Sequence, residues 1–181
     1  MATPQEQRRI RIKNDYQEML NIKGTIINWI PLSGTPPYVE AYDLTVNVRT
    51  ITGSRPEYRN IHIIRVTLPS NYPTVAPLIV MQSSPQPYHP NWYNDKRWCY
   101  GSWDISEGLG HHVVRMIRTL QFDREITNPN SPANRDAKDW YLANQSRNLF
   151  PCDRQILPDP TKKKAFEFDN GSGKKTFNIS N

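Results

Sequence analysis

Behind Thr3-Pro4-Gln5-Glu6, the residues Ile12, Tyr16, Met19, Leu20 and Lys23 follow at helical spacing. The preceding tetrad has the form of a capping box with proline at the first helical position. An N-terminal helix with a basic opposite face is therefore expected, ending at Gly24. Residues 25–30 are rich in β-branched side chains and predict a short strand. Tyr42, Leu44, Val46 and Val48 alternate with Asp43, Thr45, Asn47 and Arg49, the period of a half-buried strand. Residues 53–56 mark a turn, and residues 61–68 and 77–81 read as two further strands. One helix followed by four strands on short turns predicts an α+β fold with a four-stranded antiparallel meander, not βαβ units.

From residue 82 to 110 the periodicity stops. Pro85, Pro87, Pro90, a run of Trp and Tyr, and Gly101, Gly108 and Gly110 make a long non-periodic stretch, the kind of loop that usually carries function. Val113, Val114, Ile117 and Leu120 restore a helical period, which ends at Asn128-Pro129-Asn130-Ser131-Pro132. Asn134 then caps a last helix that turns Ala137, Trp140 and Tyr141 inward. Past Pro151 the composition becomes polar, with a lysine triplet at 162–164 and further lysines at 174 and 175. The expected organisation is one catalytic-type domain over residues 1–150 and a flexible tail over 151–181, with no internal repeats.

Composition narrows the picture. The chain has 181 residues, 36% apolar, and a mean hydropathy of −0.74, a modest core with much loop. No apolar run approaches the roughly 20 residues of a membrane span, and the polar, basic N-terminus shows no secretory h-region. Two cysteines cannot build a disulfide framework, so a reducing, cytoplasmic setting is expected. The net charge of +6 permits nucleic acid or acidic protein as partner. No zinc-finger spacing, RNP-like aromatic box or Walker loop supports nucleic acid.

One thiol lies in the functional-looking loop. Cys99 stands between Trp98 and Tyr100, with Lys96 and Arg97 just before it to favour a thiolate. The plain alternative is an inert cysteine packed among aromatics. His89-Pro90-Asn91 precedes Cys99, and an asparagine amide near a thiol can donate to a developing oxyanion. No carboxylate is evidently set to orient His89 as a base, so an acyl carrier fits better than a protease. Cys99, Cys152, His89, His111 and His112 lack zinc-ribbon spacing, and no metal site is expected.

His89-Pro90-Asn91, seven residues, then Cys99 resembles the active-site signature of ubiquitin-conjugating enzymes. The order of basic N-terminal helix, four-strand meander, catalytic loop and C-terminal helices is similar as well. Leu68-Pro69-Ser70-Asn71-Tyr72-Pro73, with Pro77 beyond, looks like the family's segment between its third and fourth strands. Asn128-Pro129-Asn130-Ser131-Pro132 looks like its proline-rich turn after the catalytic helix. The resemblance covers about residues 5–148 and leaves the tail unexplained.

The resemblance implies a ubiquitin-conjugating-enzyme-like fold and a transferase that needs no cofactor of its own. A separate activating enzyme would use ATP and load the C-terminal glycine of a ubiquitin-like modifier onto Cys99 as a thioester. An amine, usually a lysine of a target protein, would then attack the carbonyl. Asn91 would stabilise the oxyanion or brace the loop, and His89 would hold loop backbone rather than move protons. Ser131 falls where many members carry an acidic residue beside the thiol; its plain alternative is to cap the helix near Asn134. Arg8, Arg9 and Lys13 on the basic helix face would help dock the activating enzyme.

Two departures bear on partners. The family often carries an aromatic at the position of Thr74, and a Ser-Pro-Ala-like turn where Gly108-Leu109-Gly110 stands. Both belong to the surface that receives RING-type ligases, so such a ligase is not counted among the expected partners. The chain looks like a divergent member, of the kind encoded in bacterial operons with a reduced conjugation pathway and a defence role. The rival readings are a catalytically silent modifier-binding module of the same fold and a cysteine hydrolase of the modifier.

Overall fold

A computed structural model describes residues 2–55, 57–163, 167–168 and 175–176. Helix α1 (Pro4–Ile22) starts as expected: Thr3 Oγ1 accepts from the Glu6 amide, and the Glu6 carboxylate accepts from the Thr3 amide at 2.7 Å. Its buried face carries Ile12, Asp15, Met19 and Ile22, while Leu20 turns outward. An acidic residue has thus taken a position inside the stripe.

Strands β1 (Ile27–Thr35) and β2 (Tyr38–Val46) form a long hairpin. A minor ladder pairs β3 (Thr50–Ile51) with β4 (Tyr58–Arg59) before β5 (His62–Thr67) and β6 (Leu78–Met81) complete the sheet. The order β1-β2-β5-β6 is antiparallel throughout, so the molecule is α+β with a four-stranded meander. The register aligns Trp29, Leu44, Ile64 and Met81 in one row across the sheet, all buried. This inner face packs on Met19 and Ile22 of α1 and on Leu109, Val113, Met116 and Ile117 of α2 (Leu109–Leu120). The β1–β2 hairpin runs further than its β-branched stretch predicts. Register shifts around Ser33 absorb the proline- and glycine-rich tip, where Gly34 at φ +80° takes a backbone angle that L side chains disfavour.

Helix α3 (Arg135–Ala143) is capped by Asn134, whose Oδ1 accepts from the Ala137 amide at 3.1 Å. It helps close a second apolar cluster of Ile51, Phe122, Tyr141 and Phe150. Phe122 and Phe150 stack at 5.2 Å.

The expectation of a tail free from residue 151 onward is corrected for its first part. The Cys152 amide donates to Gln121 O (2.9 Å), Asp153 accepts from the Arg49 amide (2.8 Å), and Gln155 Nε2 donates to Asn47 O (3.0 Å). Asn21 Nδ2 then holds the carbonyl of the buried Pro160 at 2.7 Å. Backbone-directed hydrogen bonds bind this segment, which is why its polar composition concealed the packing. Further on, β7 (Glu167–Phe168) pairs with β8 (Lys175–Thr176), whereas Lys164 and Lys174 lie outside the described residues, as does Pro56 of the predicted turn. Among the described residues no helix is long and apolar enough to cross a membrane.

Candidate active site

The segment after His89 folds back on itself. The Tyr93 amide donates to Arg97 O (2.9 Å), and the Lys96 amide donates to Tyr93 O (3.0 Å) with Lys96 itself at φ +73°. Trp92 pairs with Trp98 across this narrow hairpin, and the Cys99 amide donates to Asn91 O at 2.9 Å. The returning strand docks along β6: Trp98 N donates to Ile79 O, and Met81 N donates to Lys96 O. With a period of two, Trp92 and Trp98 enter the core, while Asn91, Tyr93, Arg97 and Cys99 share the other face.

Cys99 is half-buried at the edge of a cleft of about 300 Å³. Asn91, Asn128, Ser131, Gly101 and Arg115 line the same cleft, and among the described residues no carboxylate does. The arrangement brings Cys99, Asn91 and Ser131 together from three separate stretches of chain. Ser131 is exposed, and the cap of α3 belongs to Asn134, so the capping alternative for Ser131 does not hold.

Asn91 works as a brace. Its Nδ2 donates to Asn128 O and its Oδ1 accepts from the Asn128 amide, both at 2.9 Å, joining the cysteine loop to the segment before Ser131. One Nδ2 hydrogen remains uncommitted by these bonds. His89 lies beneath, fully buried against Phe122 at 4.6 Å. Its Nδ1 accepts from the Asn91 amide (3.0 Å), and its Nε2 faces Thr127 Oγ1 (3.2 Å), which itself donates to Asp123 O. This network assigns the ring proton to Nε2. Burial pushes His89 down to about 3, so it stays neutral.

The loop beyond Cys99 is clamped by α2. Arg115 grips Glu107 with two bonds of 2.8 Å and donates Nη1 to Tyr100 O at 2.6 Å. The buried His112 meets Glu107 as well, at 3.1 Å. Burial by itself would raise the Glu107 carboxyl, but hydrogen bonds from His112 and Arg115 outweigh it and hold the group near about 2. Gly101 needs its φ of +74° to turn the backbone out of the clamp, and open space lies where a side chain would be.

The expected basic flank of the thiol is engaged elsewhere. Lys96 reaches Ser84, and Arg97 bonds Asp95 at 2.7 Å while lying 5.1 Å over the Tyr93 ring. On α1, Arg9 and Lys13 line one shallow groove with Ile10 and Tyr38, and the Arg9 guanidinium lies 4.2 Å from the Tyr38 ring centre. Arg8 does not join them: it pairs with Glu40 of β2 at 2.6 Å and tethers Pro69 O.

The Gly108-Leu109-Gly110 turn has its own cause. Asp15 accepts from the Leu109 amide and Glu18 from the Gly110 amide, each at 2.9 Å, so two acids of α1 serve the start of α2. Arg11 holds the carbonyls of Ile105 and Glu107 from the same helix. A Cβ at Gly110 would lie 2.7 Å from Glu18 Cβ, so this close approach requires glycine.

Among the described residues no group of three or more His, Cys, Asp or Glu is arranged to hold a metal ion. The sequence pattern missed Arg115 and Thr127, and it named Asn128 only within the proline-rich turn. Arg115 carried no signal, since it occupies an ordinary polar position between Val114 and Met116. Asn128 could have been suspected from the asparagine-proline run alone. No protein-family model matches the chain, and no curated protein matches it.

Proposed function

We propose that the chain is a conjugating enzyme for a ubiquitin-like modifier, with the fold of that family and Cys99 as acyl carrier. The observation that carries this reading is a half-buried thiol lining an open cleft whose two walls are tied together by Asn91 and Asn128. Such a cleft can hold an extended chain end, while the braced loop keeps the thiol accessible. Loading exchanges one thioester for another: Cys99 Sγ attacks the carbonyl and the activating enzyme's thiol departs. In transfer an amine attacks, the C–S bond breaks, and the electron pair returns to Sγ.

Hydrolase chemistry is disfavoured by the state of His89. Both of its ring nitrogens are occupied below the loop, and it remains neutral. Among the described residues the cleft also offers an arriving lysine no carboxylate to take its proton. Ser131 can accept a hydrogen bond there but is a poor base, so transfer to free lysine is slow and quickens as the free-amine fraction rises with pH. The groove with Arg9 and Lys13 is the surface offered to the activating enzyme. Target proteins and the modifier meet the cleft itself.

The test is intact-mass spectrometry of the full chain, purified without reductant from cells expressing its neighbouring genes. A protein-sized adduct is expected, released by thiol or hydroxylamine and absent in Cys99→Ala. Cys152→Ser retains it, because that thiol, pushed up to about 12 by burial and donating to Arg49 O, is unreactive. An adduct indifferent to Cys99→Ala overturns the proposal.

A further inference from the structure

Beyond Cys99 the chain hangs on one side chain from another element. Among the described residues, Tyr100, Gly101 and Ser102 make no backbone-to-backbone hydrogen bond. The bonds they receive come from Arg115 of α2: Nη1 donates to Tyr100 O at 2.6 Å, and Nη2 donates to Ser102 O at 3.4 Å. The Tyr100 ring packs near Trp98 and His112, but Gly101 and Ser102 are exposed. All three residues line the cleft beside the thiol, together with Arg115. A glycine at φ +74° in open space has wide conformational freedom, so without Arg115 this stretch has little to keep it in place.

Arg115 is itself held. Glu107 takes its Nε and Nη2 in a two-point grip, each bond 2.8 Å long. His112 Nδ1 lies 3.1 Å from the same carboxylate and so carries the ring proton. The imidazole is buried, with the Trp98 and Trp103 rings 4.9 and 4.8 Å from its own. Arg11 of α1 holds the Glu107 carbonyl from the other side. A planar guanidinium fixed at two points has its remaining hydrogens aimed, which a lysine ammonium does not achieve. Glu107 neutralises the charge of Arg115, so what Arg115 brings to the cleft is geometry.

We propose that Arg115, gripped by Glu107 and His112, is a positioning residue that holds Tyr100–Ser102 as the fixed wall along which an extended peptide chain reaches Cys99. This rests on the acyl-carrier reading given above. The clamp touches none of the reacting atoms. Sγ attacks the acyl carbonyl, the donor's C–S bond breaks, and its electron pair leaves with the donor thiol. Arg115 acts before that step, because a wall already ordered does not have to be ordered by each arriving chain. Fixing even one residue's backbone costs on the order of 1–2 kcal/mol. An acyl group that brings no chain, such as acetyl, makes no use of the wall.

The experiment uses the full chain and two acyl donors on the same thiol, a glycine-terminated peptide and acetyl, each as its mercaptoethanesulfonate thioester. Acylation of Cys99 is timed by intact mass, and the ratio of peptide to acetyl rates is the readout. Wild type is expected to favour the peptide. Arg115→Gln should lower the ratio about tenfold, the lower end of what a hydrogen bond to a charged group is worth. Glu107→Gln, whose site lies off the cleft, should lower the same ratio. The double variant should fall no further than Arg115→Gln alone, since both act through one grip. Tyr-Gly occurs once in the sequence, at residues 100 and 101, so ¹³C-carbonyl tyrosine with ¹⁵N-glycine marks that peptide group alone. Its carbonyl resonance should move to lower shift in either variant, as the charged donor is lost. An unchanged ratio in Arg115→Gln overturns the proposal. Additive losses in the double variant, an unmoved carbonyl resonance, or a wild type indifferent to the chain do so as well. The resonance needs no acyl group, and Glu107→Gln repeats the test if Arg115→Gln folds poorly. Failure of wild type to take either acyl group at Cys99 instead overturns the acyl-carrier reading, a result distinct from these.

Discussion

At Asn91 a single side chain joins two segments 37 residues apart in sequence, using its acceptor and one of its donor hydrogens on the backbone of Asn128. Removing it leaves a partly buried amide and carbonyl without partners, which costs about 1–3 kcal/mol each when water cannot replace the lost bond. Asn91→Ala is therefore expected to lower stability by roughly 1–3 kcal/mol and to slow loading and transfer together. Urea denaturation run beside both rates checks this. A defect confined to transfer, with stability unchanged, would instead point to the one uncommitted Nδ2 hydrogen as an oxyanion donor. His89 supports the same brace from beneath by accepting from the Asn91 amide.

Between elements, the decisive contact is that of α1 with the start of α2. Asp15 is buried yet accepts from the Tyr72 hydroxyl at 2.6 Å, from Arg11 at 2.9 Å and from the Leu109 amide. Burial raises this carboxyl, with the three donors acting in the opposite direction. Such tight seating leaves Gly110 no room for a methyl group, with Glu18 Cβ on one side and Pro160 Cβ at 3.0 Å on the other. Alanine is the better helix former by ~1 kcal/mol, but overpacking costs ~1–3 kcal/mol. Gly110→Ala is thus expected to destabilise the protein, as a lower urea midpoint, despite its gain in helix propensity. A raised midpoint would mean that α1 and the 157–160 segment move aside freely.

For the whole molecule, acid is the condition that reaches the most of these features at once. Burial holds His62, His89 and His112 below the ordinary value of 6.5. The folded value of each lies below the unfolded one, so the unfolded chain takes up protons first. The stability they contribute is complete above pH 6.5 and is lost as pH falls; for His89 the loss continues down to about 3. Each such group adds a slope of about 1.4 kcal/mol per pH unit inside its window. His89→Gln is expected to lower stability at pH 7 and yet to flatten its dependence by that amount between pH 6 and 4. Denaturant melts over that range decide it; an unaltered slope would show that His89 is not held neutral.

The elements themselves follow from local pattern. A capping box, a stripe at helical spacing and an alternating strand depend on near neighbours, so α1, the four-stranded meander and α3 with its Asn134 cap are legible in the chain. That Cys99, Asn91 and Ser131 come together was legible only through the family resemblance that the His89-Pro90-Asn91 motif and the asparagine-proline run carry. Charged and polar residues inside the structure were not. Asp15 has the look of a surface counter-charge until Tyr72 and Leu109, distant in sequence, arrive to satisfy it. Arg8 has the same look until Glu40 meets it. Residues 151–160, polar by composition, are held by carbonyls and amides that no side-chain pattern records. Apolar periodicity is written along the chain because water acts on each residue alone, whereas a buried polar group is stable only with its partner, and folding alone decides which partner that is.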